Sequence, residues 1–452
     1  MNLECDGPRG IAFILEKPKT AAAPLPAPPP RVVGFDVYIC YTQSHLLRDG
    51  LMVSAITDTR ADDLKPLGTA VASRQVSHQA IMSFATLLFG IQHRQPDISR
   101  QGYAMHGVAL RQVNQVLSDT ARQTRDEVIL AVAALAITEL LVPTGPDNYW
   151  KHMMGLERLV DLQDPVAFWS TKASGFCKGV RFMIVAAALK LGRPSILAGP
   201  DWKEAMRANA SDEELEEQDL YDVLADCSVL LAERDAMAAA EKKADPTEAN
   251  RQRDGIERRA RGLLQHLYQW RQRWDRKHLE SPVADTPSSP PTVSNEGRPS
   301  GSLITATTIP NIPAAAMLML YDLAVMYVSQ SLQPSPPLEE SAATTSTKTT
   351  TRIDSQQQQQ QLETAKSYQV DDERDAAREV CRCARYYLSI RRRLDASAPP
   401  VIHWAIAVAW ERLRRDDSAE GIWMRDLLSR KGRQVVAEGL WTTYKWLNSL
   451  PE

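Results

Sequence analysis

Residues 124–146 read TRDEVILAVAALAITELLVPTGP, and this stretch decides the fold class. Thr124-Arg125-Asp126-Glu127 fits the capping-box pattern, in which a hydroxyl and a carboxylate satisfy each other's backbone donors at a helix start. Val128 to Val142 then runs apolar around Glu139, and Pro143, Gly145 and Pro146 stop it. The pattern predicts a helix buried in a protein core.

The neighbouring segments repeat the theme. Between Ala109 and Leu117, Leu110, Val113 and Leu117 share one helical stripe with Val116 beside it. Asp147 to Asp164 predicts a helix that starts on an Asp147 N-cap, ends before Pro165 and spaces Trp150, Met153, Leu156 and Val160 along one side. So short a turn predicts antiparallel packing of this helix on the preceding one. A third apolar helix is expected over Arg181 to Leu191, closed by Gly192 and Pro194, and a fourth over Asp212 to Arg234 after the Gly199-Pro200 break. Apolar alternation of period two is sustained nowhere, so the expected class is all-α, a multi-helix body.

Two polar segments interrupt it. Ser281 to Ser302 is rich in Pro, Ser and Thr, and Gln333 to Gln361 carries Ser, Thr and Pro before a glutamine run. Such compositions bury too little apolar surface to offset chain entropy, and disorder is expected there. The expected organisation is a flexible leader over 1–33, a first helical part over 34–280, a linker over 281–302, a core helix within 303–332, a disordered insertion over 333–361 and a C-terminal helical part over 362–452. The C-terminal helices are expected at Leu362 to Leu394, Pro399 to Arg415 and Gly421 to Leu447. Five tryptophans (Trp404, Trp410, Trp423, Trp441, Trp446) crowd the last two and are expected to pack in the core.

The 452 residues carry a formal net charge of −3, so no global positive field draws the chain to nucleic acid or anionic lipid. The six cysteines form no disulfide-dense block, which suits a reducing compartment. Glu4, Asp6 and the prolines from Pro24 to Pro30 do not make a signal peptide. The apolar runs Val128 to Val142 and Ala314 to Val328 contain Glu139 and Asp322 and fall short of the roughly 20 apolar residues a bilayer needs. No membrane partner is expected.

Several blocks, in order, resemble the regulatory region of fungal-specific transcription factors, the helical part that follows a binuclear zinc cluster. Tyr103, Ala109, Leu110 and Leu117 are similar to its "Y-x-x-A-L … L" helix, and Asp126-Glu127 with Glu139 to its "D-E … Y-E" helix. Trp150, His152, Gly155 and Leu159 follow its "W-x-x-H-x-x-G-x-x-x-L-I" pattern with one residue fewer between Trp and His. Arg181 and Leu189, Ile196-Leu197-Ala198 and Asp201-Trp202-Lys203 resemble "R … A-L … F-L-A-x-P-E-W". Leu220, Asp222, Leu224 and Asp235 resemble "L-x-D-I-L … D", and Ala405 to Trp423 the C-terminal "L-x-V-A … W" helices. The likeness spans roughly Phe35 to Leu447 and is interrupted by the two polar segments.

The resemblance implies nuclear control of gene expression, of a metabolic pathway, through the transcription machinery or other regulator proteins, with a homodimer among the expected assemblies. Cys5, in Leu3-Glu4-Cys5-Asp6-Gly7, is similar to the last ligand of the zinc cluster. That cluster holds two metal ions on six thiolates, so one cysteine cannot build it. No cofactor is expected, zinc entering only if upstream cysteines exist, and DNA contact is expected to be weak or to run through a missing zinc cluster. The alternative is a helical scaffold or small-molecule-binding protein with no role in transcription.

Other candidate sites are few. Arg251 to Lys277 holds nine basic residues against Asp254, Glu257 and Asp275, interleaved with Tyr268, Trp270 and Trp274. Arg258, Arg259, Arg261, Arg271, Arg273, Arg276 and Lys277 read either as a nuclear-import or nucleic-acid patch or as the wet side of a helix whose Leu263, Leu264 and Leu267 face the core. Arg391-Arg392-Arg393 is a second import candidate. Cys381 and Cys383 would point about 200° apart on a helix and read as semi-buried thiols. His152 sits in a packing motif with no acid, Cys or Ser placed beside it in sequence, and reads as a hydrogen-bonded structural histidine. No phosphate-loop, nucleophile-elbow or zinc-protease motif occurs, and an enzyme is not expected.

Overall fold

A computed structural model of the chain describes residues 34–45, 71–119, 126–141, 147–171, 174–208, 210–240, 246–279, 309, 311–333, 372–388 and 400–428. Every regular element among them is helical, as the sequence predicts. Cys5, Thr124 and Arg125, Arg391-Arg392-Arg393, Trp441 and Trp446, and the segments 281–302 and 334–361 lie outside the described residues.

The first group comprises α1 (Gly34–His45), α2 (Val71–Gln92), α3 (Pro96–Leu117), α4 (Asp126–Leu141) and α5 (Asn148–Asp161), with α2 touching α1, α3 and α4. The α2–α3 turn places Arg94 at φ 52°, in the left-handed region, and Pro96 follows in the first turn of α3 where its missing N–H costs nothing. The two helices then approach so closely that a Cβ at Gly102 would lie 2.7 Å from Leu87 Cγ, and one at Gly90 2.7 Å from Ser99 N. The apolar run that opened the reading is α4; Val128, Ile129 and Ala131 to Ala136 are buried. Its α5 neighbour starts one residue after Asp147, whose side chain makes no capping bond, contrary to the expected cap.

The second group is α6 (Pro165–Thr171), α7 (Ser174–Leu191), α8 (Pro200–Arg207) and α9 (Asp212–Ala240), with a 3₁₀ turn at Ile196–Ala198. Gly192 closes α7 at φ +61°, a conformation L side chains rarely adopt. Glu157 of α5 is buried, accepts the Ile196 N–H at 3.2 Å and pairs with Arg193, so one carboxylate fastens α5 to the turn after α7. Trp202 of α8 meets Phe168 of α6 edge-on at 5.9 Å.

The third group is α10 (Pro246–Leu279), α11 (Ile312–Leu332), α12 (residues 372–388), α13 (Pro400–Leu413) and α14 (Ala419–Leu427). Fifteen residues of α11 are buried, among α9, α10 and α13. Its fully buried Leu, Met and Val side chains stabilise the fold by about 1.5–3 kcal/mol each. The helix is 21 residues long, longer than the apolar run that the sequence suggests, and by length and composition alone it reaches membrane-span dimensions. Neighbouring helices cover it instead, and one connected apolar core runs from Ile39 to Leu428. Trp270 of α10 stacks on Trp274 at 5.2 Å and on Tyr321 of α11 at 5.5 Å, while its indole N–H donates to Glu216 O at 3.0 Å. Trp404 and Trp410 of α13 and Trp423 of α14 pack against the core half-buried.

Candidate functional site

The structure resolves the basic stretch of α10 into two faces. Leu264 and Leu267 are buried and Leu263 packs against the core. On the outer side Arg259 pairs with Glu233, Arg261 with Glu257, Arg273 with Asp219 and Lys277 with Glu216. Arg271 turns inward, so it is not part of the solvated row. Most of this charge is thus spent on carboxylates of the same protein, and what Arg258 and Arg276 add is a small remainder.

Arg271 enters a crevice of about 150 Å³ between α10, α11 and α12. Its Nη1 and Nη2 donate to Glu379 at 3.1 and 2.8 Å, and its Nε donates to Asp275 at 2.9 Å. Burial alone would lower the Arg271 pKa, yet these carboxylates and the charge of Asp322 drive it above its ordinary value. The guanidinium lies 5.4 Å from the Tyr321 ring centre. At the rim the Tyr268 hydroxyl donates to Asp372 at 2.8 Å; burial first, and then that carboxylate, raise its pKa.

Asp322 is the unusual member. It is 1% exposed, and its Oδ2 has no hydrogen-bond partner. Burial raises its pKa well above the ordinary value of an aspartate, and the Glu379 charge adds to this, with Arg271 and Arg382 opposing. Behind it Cys383 is buried and, with Cys381, raised in pKa by burial, which makes both thiols unreactive. Both are wholly buried rather than semi-buried as their spacing suggests.

A second constellation joins α3, α4 and α5. His106 Nε2 lies 3.9 Å from Glu139 Oε1, both side chains are buried, and neither ring nitrogen of His106 has a hydrogen-bond partner. Burial lowers the pKa of His106 and of half-buried His152, the Glu139 charge opposing in each, and His106 lowers His152 further. The fold therefore supplies the acid that the local sequence around His152 lacks. Two signals were present: Glu139 interrupts an apolar run, and His106 shares the buried face of α3 with Gly102, Ala109 and Val113. Among the described residues, no three His, Cys, Asp or Glu side chains converge closely enough to hold a metal ion.

A third polar network joins three blocks of the family-like pattern. Arg181 of α7 donates to Gln218 at 2.6 Å and Glu217 at 2.8 Å, and its guanidinium sits 3.9 Å from the Tyr221 ring centre. Lys203 of α8 pairs with Asp226, and Arg207 with Asp219 and Asp222, all three on α9. These partners engage one another, with the buried Arg181 Nε left without a hydrogen-bond partner, and the arrangement suits a structural role.

No protein-family model matches the chain, and no solved structure matches it. It is similar to uncharacterized protein AN5342 of Emericella nidulans, 30% identical over 115 residues that make up 25% of this chain and 24% of that protein. The chain therefore spans about a quarter of the length of that relative.

Proposed function

We propose that this chain is the helical body of a nuclear, non-catalytic transcription-regulator-like protein similar to the fungal-specific family, acting through contacts with the transcription machinery or other regulators. The observation that carries the reading is the convergence of its pattern blocks on α9: Arg181 of α7 bonds Gln218 and Glu217, Lys203 of α8 pairs with Asp226, and Asp222 accepts from Gln218 and pairs with Arg207. Charged residues of α7 and α8 that belong to the pattern thus find their partners on α9, close to the Leu220-Asp222-Leu224 segment. The internal pairing of α10 supports weak, salt-sensitive and sequence-independent contact with DNA by this chain.

Fusing the full chain to a heterologous DNA-binding domain in a fungal cell tests the proposal. Reporter transcription is expected to rise or fall relative to the DNA-binding domain alone, with a fluorescent fusion concentrated in the nucleus. An unchanged reporter with a cytosolic fusion overturns it.

The charged crevice favours a second reading, a small-molecule-binding protein with no role in transcription. Ligand binding by a chain that leaves the reporter unchanged would select it.

A further inference from the structure

The crevice between α10, α11 and α12 is unevenly provided with charge. Of the two cations that line it, Arg271 spends its donors on Glu379 and Asp275, and Arg382 pairs with Glu420 at 3.7 Å. An anionic ligand entering it finds these cations engaged. Asp322 is in the opposite position: a buried carboxyl that lines the crevice with one oxygen unmatched. Leaving such an atom unmet carries a desolvation penalty that a ligand donor would recover.

Shape and lining narrow the class. Val325 and Ala376 supply apolar surface beside the carboxyl, Tyr268 stands at the rim with an exposed ring, and the volume is about 150 Å³. A cavity of that order admits a molecule of roughly benzene size. A metal ion needs several ligands at fixed distances, and the described residues offer no such group. An ammonium head on a short hydrocarbon stem satisfies both the carboxyl and the apolar wall, and the Tyr268 ring face adds attraction for a cation.

We propose that this crevice binds a small organic ammonium ion, with Asp322 as its buried carboxylate partner. The proposal is independent of any role in transcription, because it concerns binding by the isolated chain. Burial raises the Asp322 pKa and so favours its protonated form, whereas an ammonium ion beside it favours the charged form. The groups acting on Asp322 are Arg271 from α10, Tyr321 beside it on α11, and Glu379, Arg382 and Cys383 from α12. Binding therefore strengthens as pH rises while the amine, with a pKa of about 10, remains charged.

Isothermal titration of the full chain with n-propylammonium chloride, at constant ionic strength, tests this beside sodium chloride, 1-propanol and sodium propionate. Saturable binding of propylammonium alone is expected, tightening from pH 6 to pH 8 and weakening at least tenfold, ~1.4 kcal/mol, in Asp322→Asn. Circular dichroism verifies that this variant folds. Should it not fold, Ala376→Leu narrows the crevice without removing a charge and is expected to weaken binding as well. No binding by the wild-type chain, equal binding by the folded D322N or A376L variant, or preference for propionate or propanol overturns the proposal.

Discussion

Arg271 of α10 meets Glu379 of α12 in a two-pronged ion pair, with nitrogen–oxygen distances of 2.8 and 3.1 Å, across 108 residues of sequence. Its side chains are 16% and 19% exposed, so the pair is largely withdrawn from water. Attraction in such surroundings is offset by desolvation, whereas removing one partner strands the other. Glu379→Ala is therefore expected to destabilise the protein by roughly 3 kcal/mol, and Arg271→Ala by a similar amount. The double variant is expected to cost clearly less than the sum, as read from urea unfolding. Strict additivity would show that the pair contributes no coupling.

The Asp322 carboxyl sets one pH dependence. Burial, then Glu379, lifts its folded pKa well above the value of about 3.9 that applies in the unfolded chain. The folded state keeps a proton that the unfolded chain releases, so this group's contribution is intact below about pH 4 and declines as pH rises toward its folded pKa. Asp322→Asn removes the titration. The stability of D322N relative to wild type is expected to grow between pH 4 and pH 8 in chemical denaturation; a constant difference would contradict it.

His106 and His152 set a dependence of opposite sign. Burial lowers both folded pKa values, against the pull of Glu139, while the unfolded histidines protonate near pH 6.5. Below about pH 6.5 the unfolded chain takes up protons that the folded state refuses, and stability falls with pH. His106→Asn is expected to flatten the loss between pH 7 and pH 5. Glu139→Gln withdraws the charge that favours the imidazolium and is expected to steepen it. Thermal unfolding across that range measures both, and identical curves for the three proteins would rule the coupling out.

Two glycines in helices are expected to respond oppositely to a single methyl. At Gly102 a Cβ meets Leu87 at 2.7 Å from side-chain and 2.9 Å from backbone atoms, so Gly102→Ala is expected to cost about 1–3 kcal/mol by pushing α2 and α3 apart. Gly262 of α10 has nothing within 4 Å of that position, and Gly262→Ala is expected to stabilise by roughly 0.5–1 kcal/mol through backbone entropy. Melting temperatures of the two variants settle the sign of each.

The parts of this fold readable from sequence are those where the code is local. Apolar runs betray α4 and α11, and Gly192 and Pro194 mark the end of α7 because backbone geometry requires them there. Ends were less legible: α7 begins at Ser174 rather than near Arg181, and α9 runs on to Ala240, since packing extends helices beyond their most apolar stretch. The sites were legible only as anomalies. Asp322 and Glu139 stood out as acids inside apolar runs, but their surroundings depend on helices far away in sequence. Arg271 looks like one more member of a basic row until Glu379 arrives from another helix.

The placement of α11 in chain order has a consequence for synthesis. A ribosome completes this 21-residue apolar helix while α13, one of the elements that shields it, still awaits translation of residues 400–413. During that interval a greasy surface faces solvent, and chaperones that hold nascent chains gain a natural client. A stop codon just after Leu332 would leave that exposure permanent, turning a transient hazard into an aggregating product.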